Sequence, residues 1–319
     1  ARLIEDTRGT IDDVMAIVAR KPLVSPTGSR RSYRNSDYHL SARTIEKATG
    51  QPYERFLEAA FFAPFGLRSL HHCKAAPVPP QEATGHGRRR GVTVVAPWEN
   101  MATARGDGGL CGNAVDLARW TRLLARGDAI APAAVERMTA PTKTAAGWIA
   151  PYGMALGLLP LDGRPRFSHT GAIGGFSAAA AHYPRDGLAI AVLTNLALVP
   201  VEAIERDIAR AVLGLPAPRM QDLPVPRELR GRLVGRWEIG IPGFVIDIAP
   251  AGDRLRVRMP APGWSGDLRY QGGGRFAADR APDVEYVLAA DGATADTLVI
   301  GMGDMHWDAR RVPKRAAAH

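Results

Sequence analysis

Residues 215 to 227 hold four prolines, and the character of the chain changes across them. Proline fixes its own φ and donates no backbone hydrogen bond, so this stretch continues neither a helix nor an inner strand. Upstream, apolar residues recur at helical spacing between strand-like runs. From about residue 228 the pattern is short strands broken by turn residues: "LVGRWEIG", "FVIDIAP", "DRLRVRMP", "DLRYQG", "VEYVLAA" and "TLVIGM". Gly252-Asp253 and Asp291-Gly292 mark hairpins. A chain divided in this way does not build one continuous sheet. The expected organisation is a mixed domain over 1–215, a proline-rich linker over 216–227 and a small antiparallel β domain over 228–319. The 319 residues are enough for two domains.

The first domain reads as helices around a few strands. Tyr38, Ala42, Ile45 and Thr49 predict a helix over 37–49, capped by Ser36 and closed by Gly50. Pro52 opens a second helix. Residues 74–91 read as a long surface loop. Residues 108–127 read as a helix with Asn113 as N-cap and Gly127 as terminator. Strands are expected over 152–161 and 166–195, with Pro184-Arg185-Asp186-Gly187 as a turn. A last helix over 200–213 places Val201, Ile204, Ile208 and Val212 on one apolar face.

The net charge of +9 comes from 36 Arg and 5 Lys. These are scattered, apart from Arg88-Arg89-Arg90, and no aromatic ladder accompanies them, so no nucleic-acid partner is expected. No run of eighteen apolar residues exists to span a membrane. No leader is visible; the chain begins with Ala1, so export stays open. Cys73 and Cys111 are too few for a disulfide framework and fit either a single pair or two buried thiols. His71-His72-Cys73 has metal-ligand residue types, but no second cluster at zinc spacing follows, and no metal site is expected.

Two short motifs carry chemistry: Tyr33-Arg34-Asn35 before the first of these helices, and His169-Thr170-Gly171 on an expected strand. With the sequence between them they resemble the serine β-lactamase-like hydrolases, the group of class C β-lactamases, D-alanyl-D-alanine peptidases and related esterases. "SYRNSDYHLSARTIEKATGQPYERFLEAAFFAPFGL" is similar to the family's Tyr-x-Asn segment. "GGLCGNAVDLARW" is similar to its helix start, and "FSHTGAIGGFSA" to its Lys/His-Thr-Gly strand. The resemblance covers about residues 20–200, and the β-rich tail resembles an appended lipocalin-like domain. It implies an α/β (α+β) β-lactamase/transpeptidase-like fold, with an antiparallel sheet flanked by helices.

The resemblance also implies roles. A Ser-x-x-Lys serine attacks a carbonyl, and Tyr33 shares the proton transfer, its pKa depressed by nearby cations. Asn35 and Thr170-Gly171 position a small-molecule or peptide substrate, and the Ala172 N–H serves the oxyanion hole. His169 stands where many relatives have Lys. A permanent cation suits a β-lactam carboxylate, whereas His is largely neutral near pH 7, so the expectation leans to a D-amino-acid peptidase or an esterase. No cofactor is implied.

The departure is that no serine here has a lysine three residues on. Lys143-Thr144 lacks the adjacent glycine and is set aside. The expectation is that a preceding N-terminal segment carries the nucleophile. The alternatives are a non-catalytic relative that binds peptides or cell-wall fragments, and a stable fragment without activity. The resemblance implies a periplasmic or secreted setting.

Overall fold

The computed structural model describes residues 10–23, 25–29, 33–73, 82–89, 91–143, 145, 149–150, 152–216, 220–239, 245–259, 264–279, 281–288, 297–302 and 305–312. The chain divides into two compact units, Ala1–Leu215 and Pro216–His319.

In the first unit, α1 (Ile11–Ala19) starts with a reciprocal capping box between Thr10 and Asp13. Helix α2 (Asn35–Thr49) ends at Gly50, whose φ of 69° is the left-handed conformation glycine adopts without cost. It begins two residues earlier than the apolar spacing predicts. Arg34, not Ser36, occupies the N-cap, and no side chain caps the helix. Helix α3 (Tyr53–Leu57) widens into a π-helical turn over Glu58–Phe62. Phe62, Leu67 and Leu70 are buried there, with Trp120 against them.

The stretch read as a loop over 74–91 contains strand β2 (His86–Arg89), which pairs with β3 (Val92–Val95); residues 74–81 and 90 lie outside the described residues. Before it, β1 (His71–His72) pairs with β4 (Leu110–Cys111). The segment from residue 108 is therefore a short strand first. Helix α4 (Ala114–Arg126) follows, with Asn113 Oδ1 accepting from the Asp116 N–H at 2.9 Å and Gly127 at φ 76°. Helix α5 (Pro132–Met138) and the two-residue strands β5 (Thr142–Lys143) and β6 (Ile149–Ala150) come next. Lys143 is exposed on β5.

The buried Asp116 carboxylate ties α4 to the preceding loop. It accepts from the Ser69 N–H at 2.9 Å and the Ser69 O–H at 2.8 Å. The backbone bond from Ser69 and then its hydroxyl hold the Asp116 carboxyl below its ordinary value. A depressed folded-state pKa gives stability that is present above the unfolded value of about 3.9 and is lost as pH falls through the folded value. Asp116→Asn is therefore expected to melt lower than the wild type at pH 7, with the gap closing below about pH 4. Melting curves from pH 7 to pH 3 check this; a gap of constant size would rule out the carboxylate as the cause.

The central sheet is antiparallel: β7 (Phe167–Ile173), β8 (Phe176–Tyr183) and β9 (Leu188–Thr194) in that order. The loop between β7 and β8 is Gly174-Gly175, at φ 49° and 87°, the two-residue connection that demands glycine. A Cβ on Gly175 would sit 2.6 Å from the Ala96 Cβ and the His86 N, so the hairpin tip packs directly on the 85–96 backbone. Residues 152–161 do not form a strand. They make isolated bridges, because Ala155 at φ 62° bends the chain at once.

Strand alternation sorts the two faces of the sheet. Ala181, Tyr183 and Ile190 share a core with Ala209 of α6 (Val201–Leu213). His182 points to the other face, where burial and then the charges of Arg122 and Arg126 on α4 lower its pKa. Helices thus cover both sides. Helix α6, however, turns the wrong residues inward for its apolar pattern. Val201 is buried, but Ile204, Ile208 and Val212 are 38%, 40% and 62% exposed, while Glu202 and Glu205 are buried. The reason is a buried cation: the Arg166 guanidinium donates to Glu205 at 2.7 Å and to Glu202 at 3.3 Å.

The second unit is a closed, all-antiparallel barrel of eight strands, each paired with its sequence neighbours. The strands are β10 (Gly235–Ile239), β11 (Val245–Ala251), β12 (Arg254–Met259), β13 (Trp264–Gly272), β14 (Arg275–Ala278), β15 (Ala281–Leu288), β16 (Thr297–Met302) and β17 (Met305–Arg311). Strand β17 returns to β10. This up-and-down closure removes every sheet edge and fits a lipocalin-like domain. Its interior is filled by Trp237, Leu255, Leu268, Phe276, Tyr286 and Leu298, all fully buried. Gly252-Asp253 forms the β11–β12 turn, and Asp291-Gly292 lies outside the described residues. Two details were not expected. A short helix, α7 (Arg227–Leu233), precedes the barrel. Part of the proline-rich stretch is bound to it, with the Leu223 N–H donating to the Tyr270 carbonyl at 3.1 Å.

Candidate active site

Strand β7 carries His169, Thr170, Gly171 and Ala172 in its second half. Its inner edge pairs with β8, with His169 opposite Ala180 and Ala172 opposite Ser177. On its outer edge the bridge between Gly157 and Ser168 is the last one; from His169 to Ile173 no described strand follows. Gly171 is not required by the packing, since a Cβ there would meet nothing nearer than the Ala178 Cβ at 4.0 Å. The bare backbone leaves room for an extended ligand to lie alongside.

Tyr33 stands over this strand. Its ring stacks on His169, with centroids 6.0 Å apart and planes 30° from parallel. The His169 Nδ1 lies 2.7 Å from the Thr170 carbonyl. A carbonyl only accepts, so Nδ1 carries the proton and donates. In the neutral ring Nε2 then accepts, and the Tyr152 hydroxyl 2.9 Å away is its donor. The Tyr38 hydroxyl is 3.4 Å from that of Tyr152 and extends the line. Tyr33 also contacts Tyr38, at 6.2 Å between centroids. Three phenols and one imidazole therefore meet at the open edge of β7.

The structure brings Tyr33 and His169 together, as the motif reading expects them to be. Asn35 opens α2 two residues after Tyr33, with its side chain exposed. Thr170 is half-buried, and Gly171 and Ala172 are exposed on β7. Tyr38 and Tyr152 were missed as site residues. The sequence pattern places Tyr38 on an apolar helix stripe and Tyr152 on a strand, and neither spacing reveals a shared hydroxyl. Away from this site, Cys73 and Cys111 form a disulfide, with Cα atoms 5.1 Å apart.

A helix-covered antiparallel sheet whose outer strand carries His-Thr-Gly beside a Tyr-x-Asn helix start defines a β-lactamase-like hydrolase domain. The chain belongs to the Beta-lactamase family, whose model matches residues 2–215. Curated relatives include a D-aminopeptidase of Gluconobacter oxydans, 25% identical over 73% of this chain and 43% of that protein. A D-aminopeptidase of Brucella ovis is 26% identical over 73% of this chain and 44% of that protein. The chain thus spans less than half the length of these relatives. In fold it is similar to the octameric penicillin-binding protein homologue from Pyrococcus abyssi, with TM-score 0.59 and 19% identity over 97% of this chain and 73% of that one. It is also similar to the D-amino acid amidase from Ochrobactrum anthropi SV3, with TM-score 0.56 and 19% identity over 66% of each chain. Among the described residues, no helix is long and apolar enough to cross a membrane.

Proposed function

We propose that the first unit is the larger part of a serine hydrolase that cleaves amides or esters of D-amino acids through an acyl-enzyme, with its nucleophile on a segment preceding the matched region. The observation that carries this reading is Tyr33 stacked on His169 beside the open Thr170–Ala172 edge. Tyr33 takes part in moving the serine proton, Asn35 and Thr170-Gly171 hold the substrate amide, and the Ala172 N–H faces the developing oxyanion. The hydroxyl line from Tyr38 through Tyr152 fixes the His169 ring. Unlike a lysine, an imidazole is not a permanent cation facing the ammonium of an N-terminal D-amino acid. The names of the D-aminopeptidase relatives point the same way.

The surface of the first unit supports a preceding segment. Strand β9, "LAIAVLT", pairs only with β8 among the described residues. It carries neither charge nor proline, the devices by which a permanent edge strand is kept from aggregating. Next to it in sequence, α6 exposes Ile204, Ile208 and Val212. An edge and a stripe of this kind suit a strand and a helix contributed from elsewhere in the same protein. The disulfide suits an oxidising compartment, periplasmic or secreted.

The test uses the full-length parent with D-alanyl and L-alanyl p-nitroanilides. Turnover of the D-substrate is expected, and Tyr33→Phe is expected to lower kcat about a hundredfold, the lower end of what positioned acid–base groups contribute, with KM nearly unchanged. Equal turnover of both enantiomers, or an unaffected Tyr33→Phe variant, would count against the reading. A second reading, a non-catalytic binder of peptides or cell-wall fragments, rests on the lack of any Ser-x-x-Lys in the 319 residues. It predicts a parent that binds such ligands without turnover.

A further inference from the structure

We infer that His71, Cys73, Glu82 and Cys111 form a binding site for a zinc-like divalent cation when the Cys73–Cys111 disulfide is reduced. Strands β1 and β4 place His71 directly opposite Cys111, and opposed residues project to the same face. Cys73 is two residues from His71 on extended backbone, so it shares that face. Its N–H donates to the Gly109 carbonyl at 2.8 Å, continuing the ladder. Glu82 lies over the pair, with one carboxylate oxygen 3.1 Å from His71 Nε2 and the other 3.2 Å from Cys111 Sγ. One ligand atom each from His71, Glu82 and Cys111 lies within 4.8 Å of the others, while Cys73 Sγ, bonded to Cys111, stands outside that group and can join it only after the disulfide opens. Ligands around a tetrahedral zinc stand roughly 3.3 to 3.8 Å apart, given zinc–ligand bonds of about 2.0 to 2.3 Å.

The orientation of His71 points to a cation. Its Nδ1 donates to the Ser69 carbonyl at 2.9 Å, and Ser69 is itself held by Asp116 through two hydrogen bonds. Nε2 therefore aims its lone pair at the Glu82 carboxylate. Two acceptors that face each other need a positive charge between them, either a second ring proton or a metal. A ring N–H given to a backbone carbonyl, with the other nitrogen left to the ion, is the usual support of a metal-binding histidine. Two thiolates, an imidazole and a carboxylate suit zinc. His71 is exposed while Cys73 is buried, which gives the ion a way in.

The chemistry balances with a dithiol reductant. Two electrons and two protons pass to the Cys73–Cys111 bond, giving two thiols, and the reductant leaves as its own disulfide. The cation then displaces both thiol protons, and the metal takes over the cross-link between β1 and β4.

The experiment is anaerobic titration of the reduced chain with Co(II), followed by its visible spectrum, and with Zn(II), followed by competition. One equivalent of tetrahedral Co(II) with sulfur-to-metal charge transfer is expected in the reduced protein and none in the oxidised protein. His71→Ala and Glu82→Gln should each weaken zinc binding by more than about tenfold, the smallest loss expected even for an outer-shell partner. The Glu82 side chain is only 11% exposed, so circular dichroism of Glu82→Gln, which keeps the shape and one acceptor oxygen of the carboxylate, checks that the variant is folded. The proposal is overturned if the reduced protein gives no thiolate charge transfer, if Glu82→Gln binds as tightly as the wild type, or if circular dichroism shows that reduction unfolds the first unit. A protonated His71–Glu82 ion pair over a purely structural disulfide would then be the account of the cluster.

Discussion

Incubated with a fluorescent penicillin and with an activated ester, the 319-residue chain is expected to take up no covalent label, as read by intact mass. An acyl-enzyme needs an activated nucleophile, and no serine here has a lysine one helical turn on. Four of the described serines are poor substitutes. Ser168 and Ser177 are buried, at 1% and 4% exposure. Ser168 neighbours His169 on β7 and so points to the opposite face. Ser69 gives its hydroxyl proton to the buried Asp116, and Ser41 gives its own to the Asp37 carbonyl. Loss of the nucleophile from a site of this kind costs on the order of a million-fold in rate, so turnover should sit at background. Adding a fragment with the preceding Ser-x-x-Lys segment should restore stoichiometric labelling on that fragment's serine. Label on any serine of the present chain would show that the nucleophile reading is wrong. Restored label that is unaffected by a charged residue introduced at Ile208 or Val192 would show that the segment docks elsewhere.

Much of the architecture was legible because it is written locally. Gly50, Gly127 and Gly214 end their helices at φ 69°, 76° and 64°, and each follows its apolar stripe directly in the sequence. Asn113 caps α4 by a bond to a residue three positions away. The alternation of strand and turn residues after 228 marks an antiparallel β domain, since each hairpin needs only its own neighbours; its closure into a barrel, by β17 pairing with β10, does not show in that local pattern. What was not legible depends on distant partners. The pairing of Cys73 with Cys111 spans 38 residues that no spacing rule connects. The inward face of α6 was misjudged because Arg166, which holds Glu202 and Glu205 inside, lies 36 and 39 residues upstream. The same holds at the site. Tyr33 and His169 are candidates singled out by the order of motifs, and the fold stacks their rings. Tyr38 and Tyr152 have no motif, and only the fold brings their hydroxyls into line.

Replacing Arg166 is expected to cost the first unit about 3 to 5 kcal/mol, the usual price of leaving a buried charge without its partner. The guanidinium is 1% exposed and the Glu205 carboxylate 0%. Glu205 accepts from Arg166 Nε at 3.0 Å and from a terminal nitrogen at 2.7 Å. Its other oxygen accepts from the Tyr183 hydroxyl at 2.7 Å. Burial first, and then the Glu205 charge, push the Tyr183 pKa up, so this phenol remains a donor throughout the working range. With Arg166→Met, Glu205 keeps one hydrogen bond and loses its counter-charge in a dry setting. Glu202 fares better, because Arg206 reaches it from the same helix at 2.6 Å. Glu202→Gln should therefore cost less, about 1.5 to 3 kcal/mol, near the net worth of a single charged hydrogen bond. Losses of the larger size approach the whole stability of a domain, about 5 to 15 kcal/mol, so the graded pair keeps the measurement possible. Changing Arg166, Glu202 and Glu205 together to apolar residues of similar volume should recover most of the loss, since a buried ionic cluster and a packed apolar one are often nearly equal in stability. Urea unfolding of the four proteins, followed through the first unit's transition, checks the order. If Arg166→Met unfolds within 1 kcal/mol of the wild type, in the order of precision such titrations reach, then apolar packing, with Ala209 and Leu213 among it, suffices to hold α6 to the sheet and the buried cation is incidental.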